Sequence, residues 1–241
     1  MIVAGLMPLR SAFETPEAKR RYNARLFGQI APRYDLATVV LSYGRDRHWK
    51  RRLVELADVA EGERALDLAC GTADIALLLA ARGARVTGLD LAPPMLALAR
   101  GKLDGAPVRL AAGDMTRLPF ATGCADVVTA GYGLRNMPAL DVALGEVVRV
   151  LKPGGRFLAL DFNKPDGWAM REAYLAYLSI VGSVLGVVFH GDGATYRYIA
   201  ASLRRYPGAA AVCEAMTRAG FRDARWLPVL GGLMAIHVAK K

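Results

Sequence analysis

The sequence predicts one α/β domain, with a seven-stranded, mostly parallel sheet that ends in an antiparallel hairpin. A chain of 241 residues is the right length for one doubly wound domain. From Arg64 onward, short apolar runs rich in β-branched residues alternate with helical patterns, which is typical of βαβ units. Near the end of the chain, two apolar runs flank Gly231 and Gly232, which predicts a hairpin.

The predicted elements follow this alternation in order. Strands are expected at residues 65–69, 85–89, 108–111, 126–130, 156–162, 224–230 and 233–239. Helices are expected at residues 75–81, 95–102, 140–151, 173–191, 195–205 and 209–219, with Lys152 to Gly155 turning the chain into the fifth strand. We expect residues 1–56 to form a helical cap on a core of residues 57–241, and residues of about 166–206 to form a lid over the substrate.

Composition and charge leave several classes of partner open. The formal charge of +10 suits nucleic acid, an anionic membrane surface or an acidic ligand, and its sign does not choose between them. The three cysteines are widely separated and show no metal spacing, so they predict neither disulfides nor a zinc site and fit a reducing cytoplasm. The apolar stretch at 1–9 is too short for a signal sequence. The uncharged stretch at 173–191 contains two glycines, and we interpret it as a buried or lid helix rather than a membrane span.

The turn after the first strand is suited to a close approach of ligand and backbone. It contains Gly71, flanked by the small residues Ala69 and Thr72, and it follows Asp67. The G-x-G-x-x-G pattern that seats a pyrophosphate is absent. Acidic residues here suit a ligand that carries an amino group and a sulfonium, which disfavours a dinucleotide-dependent oxidoreductase.

Acidic residues also end the next two strands. Asp90, beside Leu91, is placed to accept hydrogen bonds from ribose hydroxyls. Asp114, beside Met115, is placed to bind an adenine amino group and cover the ring. A single aspartate at a strand end is often only a helix cap, but a series of them at successive strand ends favours a nucleoside site.

Asp67, Gly71, Asp90 and Asp114, followed by the Leu118 to Phe120 segment, together resemble the motif set of class I S-adenosylmethionine-dependent methyltransferases. The resemblance implies a Rossmann-like fold, S-adenosylmethionine as cofactor with S-adenosylhomocysteine as product, and no metal. It also implies that the cofactor site includes further residues beside these, namely Tyr34, Ala69, Thr72, Leu91, Met115 and Gly131.

A narrower resemblance comes from segments on either side of these motifs. FGQIAPRYD begins at Phe27, GYGLRN at Gly131, LDFNKP at Leu160 and TYRYIAASLRRYP at Thr195. In this order and spacing the segments are similar to the ubiquinone and menaquinone biosynthesis C-methyltransferase family over roughly residues 27–241. Membership would imply methylation of a ring carbon of a polyprenylated quinol precursor, with demethylmenaquinol favoured over a demethylubiquinol-type substrate.

Five positions depart from that family's usual pattern, among them Thr38, where the family has asparagine, and Asn163, where it has serine. Ala73 stands where the family has glycine, Gly131 where it has serine or threonine, and Asp161 where it has glutamate. The extra methyl group of Ala73 lies in a turn that normally has none, and Gly131 lacks a hydroxyl that the family can direct at the cofactor.

Methyl transfer from a sulfonium to carbon requires alignment, exclusion of water and activation of the ring. Arg135 and Asn136 follow the fourth strand and are candidates to stabilise a phenolate, although Arg135 could instead pair with an aspartate and brace the loop. The candidates for the base are Asp35 and Asp192, with Tyr34 and Tyr196 as orienting hydroxyls, His190 nearby in sequence, or a water relay beside Arg135.

The expected partners follow from this chemistry. They are a lipid quinol and, through the basic N-terminal segment, the inner face of the cell membrane, with no nucleic acid. The sequence is compatible with a homodimer. Two other interpretations remain open: a class I methyltransferase of another lipid or small aromatic substrate, and a non-catalytic accessory protein that binds cofactor or quinol.

Overall fold

The computed structural model describes residues 9–193 and 195–241, arranged around one seven-stranded sheet of order β3-β2-β1-β4-β5-β7-β6. The strands are β1 (Arg64–Leu68), β2 (Arg85–Asp90), β3 (Val108–Ala112), β4 (Ala125–Gly131), β5 (Leu151–Phe162), β6 (Arg222–Val229) and β7 (Met234–Lys240). Strands β1 to β5 pair in parallel, and β7 runs antiparallel to both β5 and β6. The predicted sheet, including its antiparallel hairpin, is confirmed.

The α-helices of the described residues pack on this sheet and on one another. They are α1 (Pro16–Ile30), α2 (Tyr34–Leu41), α3 (Asp46–Ala57), α4 (Asp74–Ala80), α5 (Pro93–Lys102), α6 (Leu140–Val150), α7 (Trp168–His190), α8 (Arg197–Arg205) and α9 (Ala209–Arg218). α1 lies beside α5, α2 beside α3 and α7, and α7 along α8. Residues 1–8 of the expected cap lie outside the described residues.

The start of the fifth strand differs from the prediction, as does the start of α7, which begins at Trp168 and not at residue 173. The turn expected at Lys152 to Gly155 lies inside the observed β5, because Leu151 already pairs with Ala125 before the register shifts. Gly154 has a φ of +77°, a conformation that glycine adopts without steric cost. The turn is therefore a local irregularity within the strand.

The strand order places a crevice between β1 and β4. β2 and β3 extend the sheet on one side of β1, and β5 extends it beyond β4, so the order reverses between the two central strands. Open α/β sheets bind their ligands in this crevice, at the carboxyl ends of the strands. The loops after β1, β2 and β4 therefore surround the candidate site.

Helix α7 has one packed side and one exposed side. Of the described helices, it alone has the length and apolar composition needed to span a membrane. Its buried residues include Gly182 and Gly186, and the missing side chains let the backbone lie against the segment that leads into α8. A Cβ at Gly182 would lie 3.0 Å from the carbonyl oxygen of Tyr196, so the packing depends on glycine.

We expect Gly186→Ala to destabilise the protein by about 1 to 3 kcal/mol, because the new methyl group would overlap the carbonyl oxygen of Asp192. For a chain of this size, each kcal/mol corresponds to a fall in Tm of roughly 2 to 4 °C, measurable by calorimetry. Gly145→Ala in α6 is the matched control, since no atom lies within 4 Å of its new Cβ, and it should raise stability by about 0.5 to 1 kcal/mol. Equal Tm values for the two variants would contradict the close packing of α7.

Candidate functional site

Two adjoining cavities occupy the crevice. The first has a volume of about 720 Å³ and is lined by the strand-end loops and by α1. Of the residues predicted to contact cofactor, it includes Tyr34, Ala69, Gly71, Asp90, Leu91, Asp114, Met115 and Gly131, and it also includes Asn136. The second has a volume of about 450 Å³ and is lined by α2, Arg135 and the segment around Tyr196.

The loop after β1 holds the backbone open for a ligand. Ala69, Gly71 and Ala73 all have positive φ, of 50°, 54° and 70°. The Gly71 amide donates a hydrogen bond of 2.8 Å to Oδ2 of Asp90, whose Oδ1 accepts one from the Ala92 amide. Asp90 thus joins the β1 and β2 loops, and burial raises the pKa of its carboxyl. Ala73 keeps a left-handed conformation that costs an alanine about 1 to 2 kcal/mol, which explains why glycine suits this position.

Asp67 and Thr72 do not line either cavity. Asp67 is buried and accepts hydrogen bonds from the Ala76 amide, at 3.1 Å, and from the Thr129 hydroxyl, at 2.8 Å. Burial raises the pKa of Asp67 to about 7. In this structure Asp67 connects β1, β4 and the start of α4, and so supports the loop from behind.

Asp35 is bound in a charge network away from both cavities. It accepts a hydrogen bond of 2.7 Å from Thr72 Oγ1 and pairs at 2.6 Å with Lys102. Lys102 also pairs with Asp74, which pairs in turn with the buried Lys50. The network connects α2 and α3 to the loop after β1 and to α5. The Asp35 carboxylate helps to hold these elements together.

Gly131 lies in the first cavity and packs closely against Ile75. A Cβ at this position would lie 2.6 Å from Cδ1 of Ile75, which is the end of a flexible side chain. A larger residue at position 131 would therefore require the buried Ile75 side chain to shift.

Arg135 is a buried cation at the wall of the second cavity. Its Nη1 pairs with Asp161 at 2.5 Å, and its own amide donates to the same carboxylate. Burial disfavours the charge of the guanidinium, but Asp161 outweighs burial and raises the pKa of Arg135. Within the described part of the chain, its Nε is buried without a hydrogen-bond partner. The ion pair that the sequence left open is therefore present, and it leaves this nitrogen of the guanidinium unpaired.

The two cavities meet at three aromatic residues. Phe27, Tyr34 and Tyr132 line both of them, and burial raises the pKa of Tyr34 to about 12. The Thr38 hydroxyl donates a hydrogen bond to the Tyr34 carbonyl oxygen within the first turn of α2. These three side chains therefore form the wall between the two cavities.

Tyr196 lines the second cavity beside His190. The Tyr196 hydroxyl lies 3.2 Å from His190 Nε2. Burial and the nearby Arg33 lower the pKa of His190, so its ring is neutral at pH 7. Asp192, another residue predicted as a base, accepts a hydrogen bond of 3.3 Å from Thr195 Oγ1 and does not line either cavity.

Helix α1 closes the first cavity through contacts that sequence reasoning missed. Lys19 Nζ donates to the carbonyl oxygens of Arg135 and Met137, at 3.0 and 2.6 Å, and Asn23 Nδ2 donates to the carbonyl of Asn136 at 2.6 Å. The burial that accompanies these contacts lowers the pKa of Lys19 to about 8. Their acceptors lie more than a hundred residues away and are backbone atoms, so no side-chain motif indicates them. Among the described residues, no group of His, Cys, Asp or Glu is arranged to hold a metal ion.

Comparison with known sequences points in one direction. A sequence model of the ubiE/COQ5 methyltransferase family matches residues 15–241. The chain is 43% identical to demethylmenaquinone methyltransferase of Thermus thermophilus over 220 residues, which cover 90% of this chain and all of that one. It is 38% identical to the ubiquinone/menaquinone biosynthesis C-methyltransferase UbiE of Rubrivivax gelatinosus, over 90% of this chain and 86% of that one.

Solved structures support the fold. A SAM-dependent methyltransferase from Aquifex aeolicus matches with a TM-score of 0.59 and 16% identity, over 79% of this chain and 88% of that one. Phosphoethanolamine N-methyltransferase 2 of Haemonchus contortus, bound to S-adenosyl-L-methionine, matches with a TM-score of 0.66 and 17% identity, over 98% of this chain and 60% of that one. The predicted Rossmann-like class I methyltransferase fold is confirmed.

We expect Asp90→Asn to weaken binding of S-adenosylhomocysteine by about 10- to 150-fold in calorimetry. The substitution removes a charged acceptor, whose hydrogen bonds contribute about 1.5 to 3 kcal/mol, and disturbs the bond that holds the Gly71 amide. Asp126→Asn is the control, because Asp126 accepts a hydrogen bond from the Arg64 amide at the opposite edge of the sheet. Unchanged affinity in Asp90→Asn would show that the first cavity does not hold the nucleoside.

Proposed function

The chain belongs to the ubiE/COQ5 methyltransferase family, and we propose that it transfers the methyl group of S-adenosylmethionine to a ring carbon of a polyprenylated quinol precursor. Demethylmenaquinol is the favoured substrate, because the relative from Thermus thermophilus bears the name demethylmenaquinone methyltransferase and the match covers its whole length. The observation that carries the proposal is Arg135, a buried cation that lines the cavity adjoining the proposed cofactor cavity and whose Nε has no hydrogen-bond partner among the described residues.

The paired cavities suit an in-line displacement. S-adenosylmethionine would occupy the first cavity, with Asp90 and Asp114 near its ribose and adenine and the Gly71 loop along its amino acid part. The quinol ring would occupy the second cavity, on the other side of Phe27 and Tyr34. Such an arrangement aligns the ring carbon with the methyl group and excludes water, which supplies much of the acceleration that this reaction needs.

Arg135 would stabilise the phenolate form of the quinol. A ring carbon becomes nucleophilic when the adjacent hydroxyl loses its proton, and negative charge then develops on the oxygen. The Asp161 pair fixes the guanidinium in place and keeps it charged, so its remaining donor is preorganised. Asn136 lines the first cavity, and its Oδ1 is buried with no hydrogen-bond partner among the residues that the structure describes. It would orient the cofactor or the substrate hydroxyl.

Tyr196 and His190 would carry the proton away. The quinol hydroxyl gives its proton to the Tyr196 oxygen as the Tyr196 proton moves to His190 Nε2, 3.2 Å away. S-adenosylmethionine, held by residues of the first cavity, would supply the methyl group to the ring carbon, with S-adenosylhomocysteine as the product. Loss of the hydrogen from the methylated carbon as a proton restores the aromatic ring. Asp35 is tied to Lys102 and Thr72, so we assign it a positioning role.

The wider organisation belongs to the same proposal. Residues 1–56 act as a cap on the core of residues 57–241, and residues of about 166–206 act as a substrate lid. The protein is cytoplasmic, acts without a metal or nucleic acid, and meets its lipid substrate at the inner face of the membrane. A homodimer is compatible with this arrangement.

The function is tested with labelled S-adenosylmethionine and reduced demethylmenaquinone or demethylubiquinone analogues, with the new methyl group located by mass spectrometry. We expect Arg135→Ala to lower kcat by about 100- to 1,000-fold, because it removes one donor to the developing oxyanion. Affinity for S-adenosylhomocysteine should stay within a few fold.

Arg135→Lys is the matched variant, because a lysine keeps the charge opposite Asp161 but lacks the guanidinium fork. A loss of cofactor affinity that parallels the loss of kcat would support a loop-bracing role for Arg135 alone. No turnover of either quinol by the wild-type protein, despite binding of S-adenosylhomocysteine, would rule out the proposed function.

A second prediction concerns the proton route. Because His190 must be neutral to accept a proton, we expect the rate of the wild-type enzyme to fall as the pH drops through its lowered pKa. Tyr196→Phe should lower kcat by about 100-fold or more. His190→Gln should lower kcat and remove the acidic limb of the pH profile, whereas the exposed His48→Gln should leave both unchanged. An unaltered pH profile in His190→Gln would exclude this route.

A further inference from the structure

The outer sides of α2 and α7 form one exposed apolar surface, here called the α2–α7 face. It consists of Leu36 and Val39 from α2, Tyr43 from the turn after α2, and Ile180, Val184 and Val187 from α7. The two helices are joined by stacking of Tyr43 on Tyr177, with ring centroids 5.5 Å apart. Ile180 is 65% exposed and Val187 is 59% exposed, values more typical of charged residues. A contiguous apolar surface of this kind marks an interaction site.

The exposed side of α7 has a regular pattern. Ala173, Ala176, Ile180, Val184 and Val187 are exposed and recur every three or four residues, so they lie along one stripe of the helix. No Asp, Glu, Lys or Arg occurs in residues 173–188 of α7, or in residues 36–43 of α2 and the turn after it. The face therefore presents no charge to whatever covers it.

The same helix is too closely packed to span a bilayer in this fold. Gly182 and Gly186 hold its inner side against the segment around Tyr196, and Leu178 and Leu185 are buried. A spanning helix would have to leave these contacts. The geometry suits a helix that lies in the interface plane, with only its outer stripe in contact with acyl chains.

Basic residues flank the α2–α7 face. Arg33 precedes α2, and Arg45 and Arg47 follow Tyr43 at its other end. All three are exposed, and none takes part in a salt bridge within the described part of the chain. An apolar surface with arginines at its margins matches the apolar interior and anionic headgroups of a bilayer. A twofold contact between two copies through this face would instead bring like charges together.

The face is also continuous with the substrate cavity. Ala37, Thr38 and Leu41, on the inner side of α2, line the second cavity, while Leu36 and Val39 lie on its outer side. The second cavity is thus separated from the exposed face by the thickness of one helix, about 10 Å. A lipid tail that left a bilayer at this face would therefore have to pass only α2 to reach the second cavity.

We propose that the α2–α7 face docks on an anionic lipid bilayer and delivers the lipid substrate to the second cavity. The inference rests on the proposed function for the identity of that substrate, but the docking itself does not depend on catalysis. Membrane contact is thereby assigned to named residues on a defined surface.

The test is flotation of the full chain with phosphatidylcholine vesicles, prepared with and without phosphatidylglycerol. The wild-type protein should float with the anionic vesicles. The triple variant Ile180→Gln, Val184→Gln, Val187→Gln should bind them at least about tenfold more weakly, because it removes apolar area that enters the bilayer. Val142→Gln is the matched control, since Val142 is 54% exposed on α6 and outside the face.

A variant that removes charge separates the electrostatic contribution to vesicle binding from the apolar one. Arg45→Gln with Arg47→Gln should weaken binding to the anionic vesicles by several fold, and the loss should shrink at high salt. Arg222→Gln with Arg225→Gln, exposed on β6, should have no such effect. Methylation of a short-tailed, water-soluble quinol without vesicles should be the same in the wild-type protein and in the triple variant.

Three outcomes would overturn the docking proposal: no flotation of the wild-type protein, equal flotation of the triple variant, or a wild-type dimer that the triple variant converts to monomers without any lipid effect. The last outcome would assign the face to a second copy. Failure of the soluble assay would instead count against the proposed function and leave the flotation result standing.

Discussion

The buried pair of Arg135 and Asp161 is the interaction on which the arrangement of the site depends. A guanidinium this deeply buried is tolerated only beside a carboxylate that is itself held in place. Asp161 lies on β5 and receives both the side chain and the amide of Arg135, so the loop after β4 is fixed to the neighbouring strand. The carbonyl groups of that loop then accept hydrogen bonds from Lys19 and Asn23 of α1.

The strand-end chemistry was accessible from sequence because it is local. Gly71 and Asp90 follow successive strands, and parallel strands bring their carboxyl ends to one edge whatever the details of packing. Eight of the ten residues predicted to contact cofactor line the first cavity, and seven of them lie at or after strand ends, whereas Tyr34 comes from α2. The seven strands were equally accessible, since their apolar runs are separated by clear helical patterns or turns.

The remainder depended on contacts between distant parts of the chain. Asp35 looks like a free carboxylate in sequence, but its partner Lys102 lies 67 residues away. Asp67 and Thr72 are expected cofactor contacts, yet they line neither cavity and instead hold neighbouring elements through hydrogen bonds. Ile75 of α4 packs against Gly131 at the end of β4, and no pattern in the sequence indicates this contact.

Phe27 and Tyr34 have a consequence for how the protein exchanges its ligands. Both residues belong to the segment that runs from α1 into α2, and both line the two cavities. A displacement of that segment large enough to open one cavity also removes a wall of the other. Under the proposed function, exchange of the cofactor and of the methylated product would therefore share one wall, the segment from α1 into α2, and a displacement of that segment would affect both.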